Sequence, residues 1–217
     1  MAVEFFPEIE APWSPSDLTA EDFEVPEWKD ASPVFIDHQW SGEPAPTSRH
    51  AEARILWSDQ ALHVRYVCRQ NEPLIVNSNP QTTAKTIGLW DRDVCEIFLA
   101  PDTGTPEHYF EFEAAPTGEW VDLAIKWKSE VRETDWNFDS GMTVSARQED
   151  DQLMIGMRIP WSTESHAIHK PQRTELWRVN LFRCVGKGND RYLAWQPTFT
   201  EEPNFHVPDA FGWLRFS

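Results

Sequence analysis

Short runs in which apolar and polar residues alternate recur along most of this chain. Such alternation is typical of half-buried β-strands, because successive side chains of a strand point to opposite faces. Ten runs stand out, at residues 53–57, 61–68, 93–99, 108–114, 120–125, 142–148, 152–159, 175–184, 192–195 and 212–216. No segment has sustained helical periodicity with caps. The pattern therefore predicts an all-β protein, an antiparallel β-sandwich of the jelly-roll type.

The first 35 residues are interrupted by prolines that are too closely spaced for a long helix. The prolines are Pro7, Pro12, Pro15, Pro26 and Pro33, and the aromatic residues among them are Phe5, Phe6, Trp13, Phe23 and Trp28. A free linker would not carry so many aromatic side chains. The sequence predicts an extended, Pro-rich N-terminal arm over residues 1–35, packed on a sandwich domain over residues 36–217.

The chain is strongly acidic, with 19 Lys and Arg against 36 Asp and Glu and a formal charge of −17. This charge repels phosphate backbones and anionic lipids, so it argues against nucleic acid and membrane surfaces as partners. A solubilising surface is the commonest cause of such an excess. The excess also fits neutral or cationic ligands, or divalent cations. Composition does not define an oligomeric state.

No stretch approaches the roughly 18 apolar residues of a membrane helix. The opening residues MAVEFFPEIEAPW lack the basic and apolar regions of a secretory leader. We therefore expect a cytoplasmic protein, or a secreted one if a leader has been removed. Cys68, Cys95 and Cys184 lie in strand-like runs without the close spacing of metal or redox motifs, which predicts buried free thiols.

Two consecutive runs each place a carboxylate opposite their apolar face. The third run points Glu96 away from Ile97, and the fourth points Tyr109 and Glu111 away from Phe112. If the two strands are adjacent, Glu96 and Glu111 line a common surface. Such a surface suits sugar hydroxyls, because a carboxylate accepts two or more hydrogen bonds, and it also suits a hard cation.

Three further polar residues lie in the strand-like runs: Glu113, Asn180 and Arg183. Glu113 continues the face of Glu111, and we expect it to lie on an ordinary solvent face. Asn180 lies opposite the apolar face of its run and can both donate and accept hydrogen bonds, as a diol requires. Arg183 falls on the core side by strict alternation, so it is either buried in an ion pair or turned outward by a bulge.

Three motifs and the C-terminal segment together resemble the family 9 carbohydrate-binding modules. The motifs are WSDQALHV at 57–64, LWDRDVCEIFL at 89–99 and IPW at 159–161. The chain ends with Trp195, Pro197 and the FGWL segment at 211–214, which is similar to the closing strand of that family. The resemblance runs from about residue 50 to the C-terminus. The twelve tryptophans agree with it, because flat indole faces suit sugar rings as well as protein cores.

The resemblance implies a non-catalytic β-sandwich that holds a mono- or oligosaccharide between two facing tryptophans. By position in the motifs, Trp90 resembles the first tryptophan, Trp195 the second, and Glu96 the carboxylate that accepts hydrogen bonds from sugar hydroxyls. Some members carry structural calcium, but no calcium ligands can be matched residue by residue, so calcium stays open as a cofactor. The full set of candidate ligand-binding residues is Trp90, Trp195, Glu96, Glu111, Tyr109, Asn180 and Arg183.

Three other functions remain open. An enzyme of the glycosidase, cyclase or isomerase type could use Glu96 with Glu111, or Glu111 with Asp122, although no catalytic motif is present. A haem-binding sandwich could use ligands among Met154, Met157, His63 and His108. A protein-interaction module could use the aromatic arm at residues 1–35.

Overall fold

The structure is a computed structural model that describes residues 7–164 and 168–217. Phe5 and Phe6 of the predicted arm lie outside the described residues. Within the described residues, no helix reaches the length and hydropathy needed to cross a bilayer.

Fourteen strands form in the described residues. In chain order they are β1 (Glu8–Ala11), β2 (Val34–Ile36), β3 (His38–Gln39), β4 (Ala51–Trp57), β5 (Ala61–Arg69), β6 (Val94–Ala100), β7 (His108–Ala114), β8 (Trp120–Lys128), β9 (Val131–Asp135), β10 (Thr143–Glu149), β11 (Gln152–Pro160), β12 (Leu176–Cys184), β13 (Tyr192–Ala194) and β14 (Gly212–Phe216). Short 3-10 helices cover Pro26–Lys29, Thr47–Arg49, Leu89–Asp91, Asn189–Arg191 and Pro208–Ala210. The ten predicted runs correspond to β4–β8 and β10–β14, and the all-β prediction is confirmed.

The strands form two sheets. The large sheet has nine strands in the order β1-β14-β12-β6-β7-β8-β9, with β13 paired to β12 and β3 paired to β13. The small sheet has the order β10-β11-β5-β4-β2. Neighbouring strands are antiparallel, except that β1 runs parallel to β14. The antiparallel sandwich predicted from the alternation is therefore the observed architecture.

The main core lies between the two sheets. Ile97 on β6 and Phe112 on β7 pack with residues of the small sheet such as Ile55 and Val64, and none of these four side chains is more than 1% exposed. Each buried side chain of this size stabilises the fold by roughly 1.5–3 kcal/mol. The three cysteines are buried free thiols, as predicted, and the Sγ atoms of Cys68 and Cys95 lie 3.5 Å apart in this core.

A second apolar cluster, the outer core, covers the opposite face of the large sheet. Phe98 and Phe182 on the sheet pack there beneath Phe205 and Phe211 of the loop that precedes β14. All seven residues of β6 are consequently buried. The prediction that Glu113 lies on a solvent face is wrong, because the outer core leaves its side chain 0% exposed.

The N-terminal segment contributes a strand to each sheet. β1 lies beside β14 at one edge of the large sheet, and β2 pairs with β4 at one edge of the small sheet. Between them, Trp13 forms a bridge with Trp57, and Trp28 is buried against Leu18 and Leu56. These contacts extend the sandwich upstream of the first strand that alternation identified.

Candidate functional site

A cavity of about 280 Å³ opens on the outer face of the large sheet. Its floor is formed by Glu96 and Phe98 of β6 and Glu111 of β7, and residues 203–206 form a roof over them. A larger and more open groove of about 810 Å³ lies at one end of the same strands, around His108 and Lys126. We take the smaller cavity as the candidate site because buried carboxyl groups with altered pKa values line it.

Two tryptophans stand at the mouth of the cavity. The rings of Trp90 and Trp136 have centroids 6.4 Å apart and planes inclined by 41°. Trp136 is 46% exposed and Trp90 is half-buried, so indole surface is open to a ligand. Trp90 lies in the 3-10 helix Leu89–Asp91. The residue before this helix, Gly88, has a φ of +82°, a backbone conformation that favours glycine, and the buried side chain of Leu89 anchors the turn.

The roof is fixed by packing and by backbone hydrogen bonds. Phe205 stacks on Phe182 with ring centroids 4.0 Å apart and planes inclined by 12°. Trp40 donates from Nε1 to the carbonyl of Thr200 at 3.1 Å, and its own carbonyl accepts from the amide of Phe199 at 2.8 Å. Residues far apart in sequence therefore close this side of the cavity.

Three buried carboxyl groups, the carboxyl trio, lie together here: Glu96 and Glu111 line the floor, and Glu113 lies next to them outside the lining. Glu96 is directly opposite Glu113 in the β6–β7 register, and Glu111 is two residues away on the same face of β7. The three side chains are 2%, 3% and 0% exposed, and one oxygen from each lies within 4.8 Å of the others. Strand pairing alone places these groups side by side.

The trio is short of hydrogen-bond donors. Apart from a proton shared between Glu111 and Glu113 themselves, no donor in the described residues bonds to Oε2 of Glu111 or to either oxygen of Glu113. Glu96 accepts a weak hydrogen bond from the Cys184 thiol, with 3.5 Å between sulfur and oxygen. A buried polar atom without a partner costs about 1–3 kcal/mol. The floor is therefore less stable than an apolar floor would be, and it has capacity to bind donors from a ligand.

Burial raises the pKa values of all three carboxyl groups. Burial, followed by the charge of Glu111, raises the pKa of Glu96 to about 8. Burial and the charges of Glu96 and Glu111 raise the pKa of Glu113 well above its ordinary value. Burial also raises the pKa of Glu111, against the opposing effects of a hydrogen bond with Glu113 and the charge of Arg132. At neutral pH the trio therefore retains protons, and Glu113 can donate one to Glu111.

A chain of hydrogen bonds orients His206 above Glu111. Trp127 donates from Nε1 to the Tyr109 hydroxyl at 3.3 Å, and that hydroxyl lies 2.9 Å from Nδ1 of His206. Burial and the charge of Arg132 lower the pKa of His206 to about 3, so the ring is neutral. Tyr109 then donates to Nδ1, and the imidazole proton sits on Nε2, which is 4.0 Å from Oε2 of Glu111.

Of the residues suggested by the sequence, Trp90, Glu96 and Glu111 line the cavity together. Tyr109 is buried beneath the roof, where it stacks on Phe98 with centroids 5.7 Å apart and bonds to His206. It supports the cavity without appearing in its lining.

Trp195, Asn180 and Arg183 lie outside the lining of this cavity. Trp195 is half-buried against the main core, so close to Gly212 that a Cβ atom there would meet its ring at 2.5 Å. Asn180 uses its amide on the backbone of Gln196, donating to the carbonyl at 2.9 Å and accepting from the amide at 3.0 Å. In the structure the tryptophan beside Trp90 is Trp136.

Arg183 is buried, with 1% of its surface exposed, and its hydrogen-bond partners are neutral. Its Nη1 donates to the carbonyls of Arg49, His50 and Arg69, and its Nη2 donates to Oε1 of Gln70 at 2.6 Å. It is not turned outward, and no carboxylate of residues 7–164 and 168–217 is hydrogen-bonded to it. Its guanidinium ties β12 to the ends of β4 and β5.

Sequence reasoning missed Trp136, Arg132 and His206. Trp136 directly follows β9 and Arg132 lies on it, and β9 shows no apolar alternation because it is exposed along most of its length at the edge of the sheet. His206 belongs to a loop without periodicity. The available signal was the position of Trp136, a large aromatic residue in an otherwise polar stretch.

The structure also bears on the metal and enzyme alternatives. The trio is a group of acidic side chains close enough to share an ion. Calcium takes about 6–8 oxygen ligands, whereas the lining next to the trio includes Phe98, Leu123 and Cys184, so the site fits calcium poorly. Glu111 and Asp122 cannot act as a pair, because Asp122 is opposite Phe112 in the β7–β8 register and so faces the main core.

Comparisons with known proteins agree with the fold. The family described as carbohydrate family 9 binding domain-like matches residues 24–217, so the match begins well before the motifs near residue 50. No curated protein matches the chain significantly.

Several solved structures are similar to this chain. A Bacteroides uniformis protein with an inferred carbohydrate-binding role has a TM-score of 0.76 and 18% identity, covering 98% of this chain and 100% of its own. A family 9 carbohydrate-binding module from Caldicellulosiruptor kristjanssonii in complex with glucose has a TM-score of 0.66 and 16% identity, covering 97% and 96%. The same kind of module in complex with cellotriose has a TM-score of 0.66 and 14% identity, covering 97% and 94%.

Proposed function

This chain belongs to the carbohydrate family 9 binding domain-like family, and we propose that the cavity on the outer face of its large sheet binds a saccharide without changing it chemically. The observation that carries this proposal is that exposed indole surface and unsatisfied carboxyl oxygens meet in one cavity. A sugar ring presents an apolar face and a rim of hydroxyl donors. The apolar face of the sugar can stack on the indoles, and its hydroxyl groups can donate to the carboxyl oxygens.

Trp90 and Trp136 supply the apolar contact. A tryptophan buries a large flat area and loses few rotatable bonds when it stacks, so it favours binding of a rigid ring. Their planes are inclined rather than parallel. A ring would therefore lie against one indole and meet the other at an angle.

The carboxyl oxygens supply the polar contact. Glu111 lines the cavity, and its Oε2 is buried without a donor from the described residues, so a sugar hydroxyl that reached it would complete its hydrogen bonding. Hydrogen bonds to charged acceptors are roughly twice as strong as those between neutral groups. The similar modules bound to glucose and to cellotriose support a saccharide as the ligand class.

The arrangement of the trio favours binding over cleavage. Glycosidases generally place their two carboxyl groups on either side of the scissile bond. Here Glu96, Glu111 and Glu113 lie on one face of one sheet, so all three approach a ligand from the same side. The cavity volume of about 280 Å³ is at the small end of ligand pockets, which suits one sugar ring or the end of a chain.

Isothermal titration with glucose, cellobiose, cellotriose and xylobiose tests the proposal. We expect saturable binding of at least one saccharide. Trp90→Ala and Trp136→Ala should each weaken it about tenfold or more, which corresponds to about 1.4 kcal/mol. Phe35→Ala is the matched control, because Phe35 is 55% exposed on β2 of the small sheet, away from the cavity. Absence of binding across a broad saccharide panel contradicts the function, and full affinity in both tryptophan variants contradicts the location.

A further inference from the structure

The carboxyl groups at the cavity floor favour a ligand that carries a positive charge. Three carboxyl groups meet there, and no Lys or Arg of residues 7–164 and 168–217 forms an ion pair with any of them. Arg132 lines the same cavity and lowers the pKa of Glu111 through its charge, and Arg191 acts in the same way on Glu96, but neither is paired with the trio, and His206 is neutral. A neutral sugar would supply hydroxyl donors but no positive charge, so the carboxyl groups would keep the protons that burial holds on them, whereas a cation would favour their ionised form. Buried charges are normally paired.

The neighbouring walls indicate what kind of cation fits. Trp90 and Trp136 present indole surface at the cavity mouth, and indoles attract organic cations through their ring faces. A bare metal ion would instead need further oxygen ligands, and the lining includes Phe98, Leu123 and Cys184 beside the trio and the cationic side chain of Arg132. The combination favours a cation that is attached to a ring.

We propose that the preferred ligand is an amino sugar, whose protonated amine is held by Glu111 and Glu96 while its ring contacts Trp90 and Trp136. This inference rests on the proposed saccharide-binding function and names the class of sugar. An ammonium group has three donors, and the two carboxyl groups that line the cavity can accept them: in the described residues Oε2 of Glu111 has no hydrogen-bond partner, and Glu96 accepts a weak bond from the Cys184 thiol. Glu113 lies behind Glu111 and completes the negative environment.

Release of a proton from the trio on binding would distinguish an amino sugar from a neutral sugar. Burial favours the protonated carboxyl groups, with the pKa of Glu96 raised to about 8. A bound ammonium favours the ionised form, so binding should expel up to about one proton from the trio. Binding should therefore strengthen between pH 5.5 and pH 7. The other titratable or charged groups around the trio are Asp91, Tyr109, Arg132, Cys184, Arg191 and His206.

The test is calorimetric titration of the whole chain at pH 6.5, below the usual pKa of primary amines. The ligands are D-glucosamine, D-glucose and N-acetyl-D-glucosamine, the last having its amine neutralised. We expect glucosamine to bind at least tenfold more tightly than the other two. Repeating the titration in buffers of different ionisation enthalpy should show proton release with glucosamine only.

Two glutamine variants locate the effect. Glu111→Gln should abolish the glucosamine preference. Glu133→Gln removes the same charge from an exposed residue of β9, at 50% side-chain exposure, and should keep the preference. If Glu111→Gln is poorly folded, proton release by the unaltered protein still tests the inference.

The alternative outcomes are distinct. Equal affinity for glucose and glucosamine would overturn the amino-sugar inference and leave saccharide binding standing. Failure of all sugars would overturn both proposals. Titration of calcium or manganese chloride is the third arm: saturable metal binding that Glu111→Gln removes, without any preference for glucosamine, would overturn the inference in favour of a metal site.

Discussion

The two faces of β6 and β7 are both largely buried but are built in different ways. Toward the small sheet, Ile97 and Phe112 are 0% exposed among apolar neighbours. On the other face, Glu96 and Glu111 are 2% and 3% exposed, and they lie beside Phe98 under a loop. At Ile97 and Phe112 the first face has no polar side chain to satisfy. The face of Glu96 and Glu111 retains carboxyl oxygens without donors. These oxygens lower the stability of the free protein, and they can form hydrogen bonds when a ligand supplies donors.

The largest expected effect is a loss of stability when the packing of the main-core face is disturbed. Phe112→Ala should lower the free energy of unfolding by roughly 3–5 kcal/mol, because it opens a cavity in the main core between the sheets. Urea unfolding followed by tryptophan fluorescence measures this. The exposed control Phe35→Ala should change the free energy by less than about 0.5 kcal/mol. A loss below about 1 kcal/mol for Phe112→Ala would mean that the main core is looser than its burial indicates.

The second expected effect is a gain in the free energy of unfolding, and its size depends on pH. The pKa of Glu96 is raised from 4.5 to about 8 in the folded chain, so its contribution to stability is fully present below pH 4.5 and is lost as pH rises through 8. Glu96→Gln removes this titration. We expect the variant to be similar to the unaltered protein at pH 5 and more stable by on the order of 3 kcal/mol at pH 9.

Thermal and urea unfolding at both pH values check the Glu96→Gln prediction. Glu133→Gln serves as the charge-matched control, since Glu133 is exposed and should give a much smaller change. Equal stability of Glu96→Gln and the unaltered protein at pH 9 would show that the carboxyl group is better solvated than its burial implies.

The smallest expected effect on the free energy of unfolding is at Trp136, which we assign to the binding surface and not to a core. Trp136→Ala should change the free energy of unfolding by no more than about 0.5 kcal/mol, because the residue is 46% exposed at the cavity mouth. Trp195→Ala, at a side chain packed on the main core, should destabilise the chain more. Urea unfolding of both variants decides this. A larger loss for Trp136 would mean that it serves as a structural residue.

Much of the sandwich could be predicted because strand alternation is a local signal. Ten strands were identified, and the motif around Trp90 and Glu96 indicated the family. The short strands β1, β2 and β3 and the exposed strand β9 were missed, because each is too short or too polar to show a period of two. Glu113 was misjudged because alternation specifies which face a side chain takes, and not what covers that face.

By itself, the sequence determined the fold class, the family and the faces on which Glu96 and Glu111 lie, since these depend on neighbours within a strand or on short motifs. Only the tertiary structure decided that this outer face is enclosed, that Trp136 is the tryptophan beside Trp90, and that Glu113 joins the other two carboxyl groups. Those facts depend on strand register and on a loop about a hundred residues away along the chain. The pKa values of the trio follow from that enclosure, because burial is their main cause.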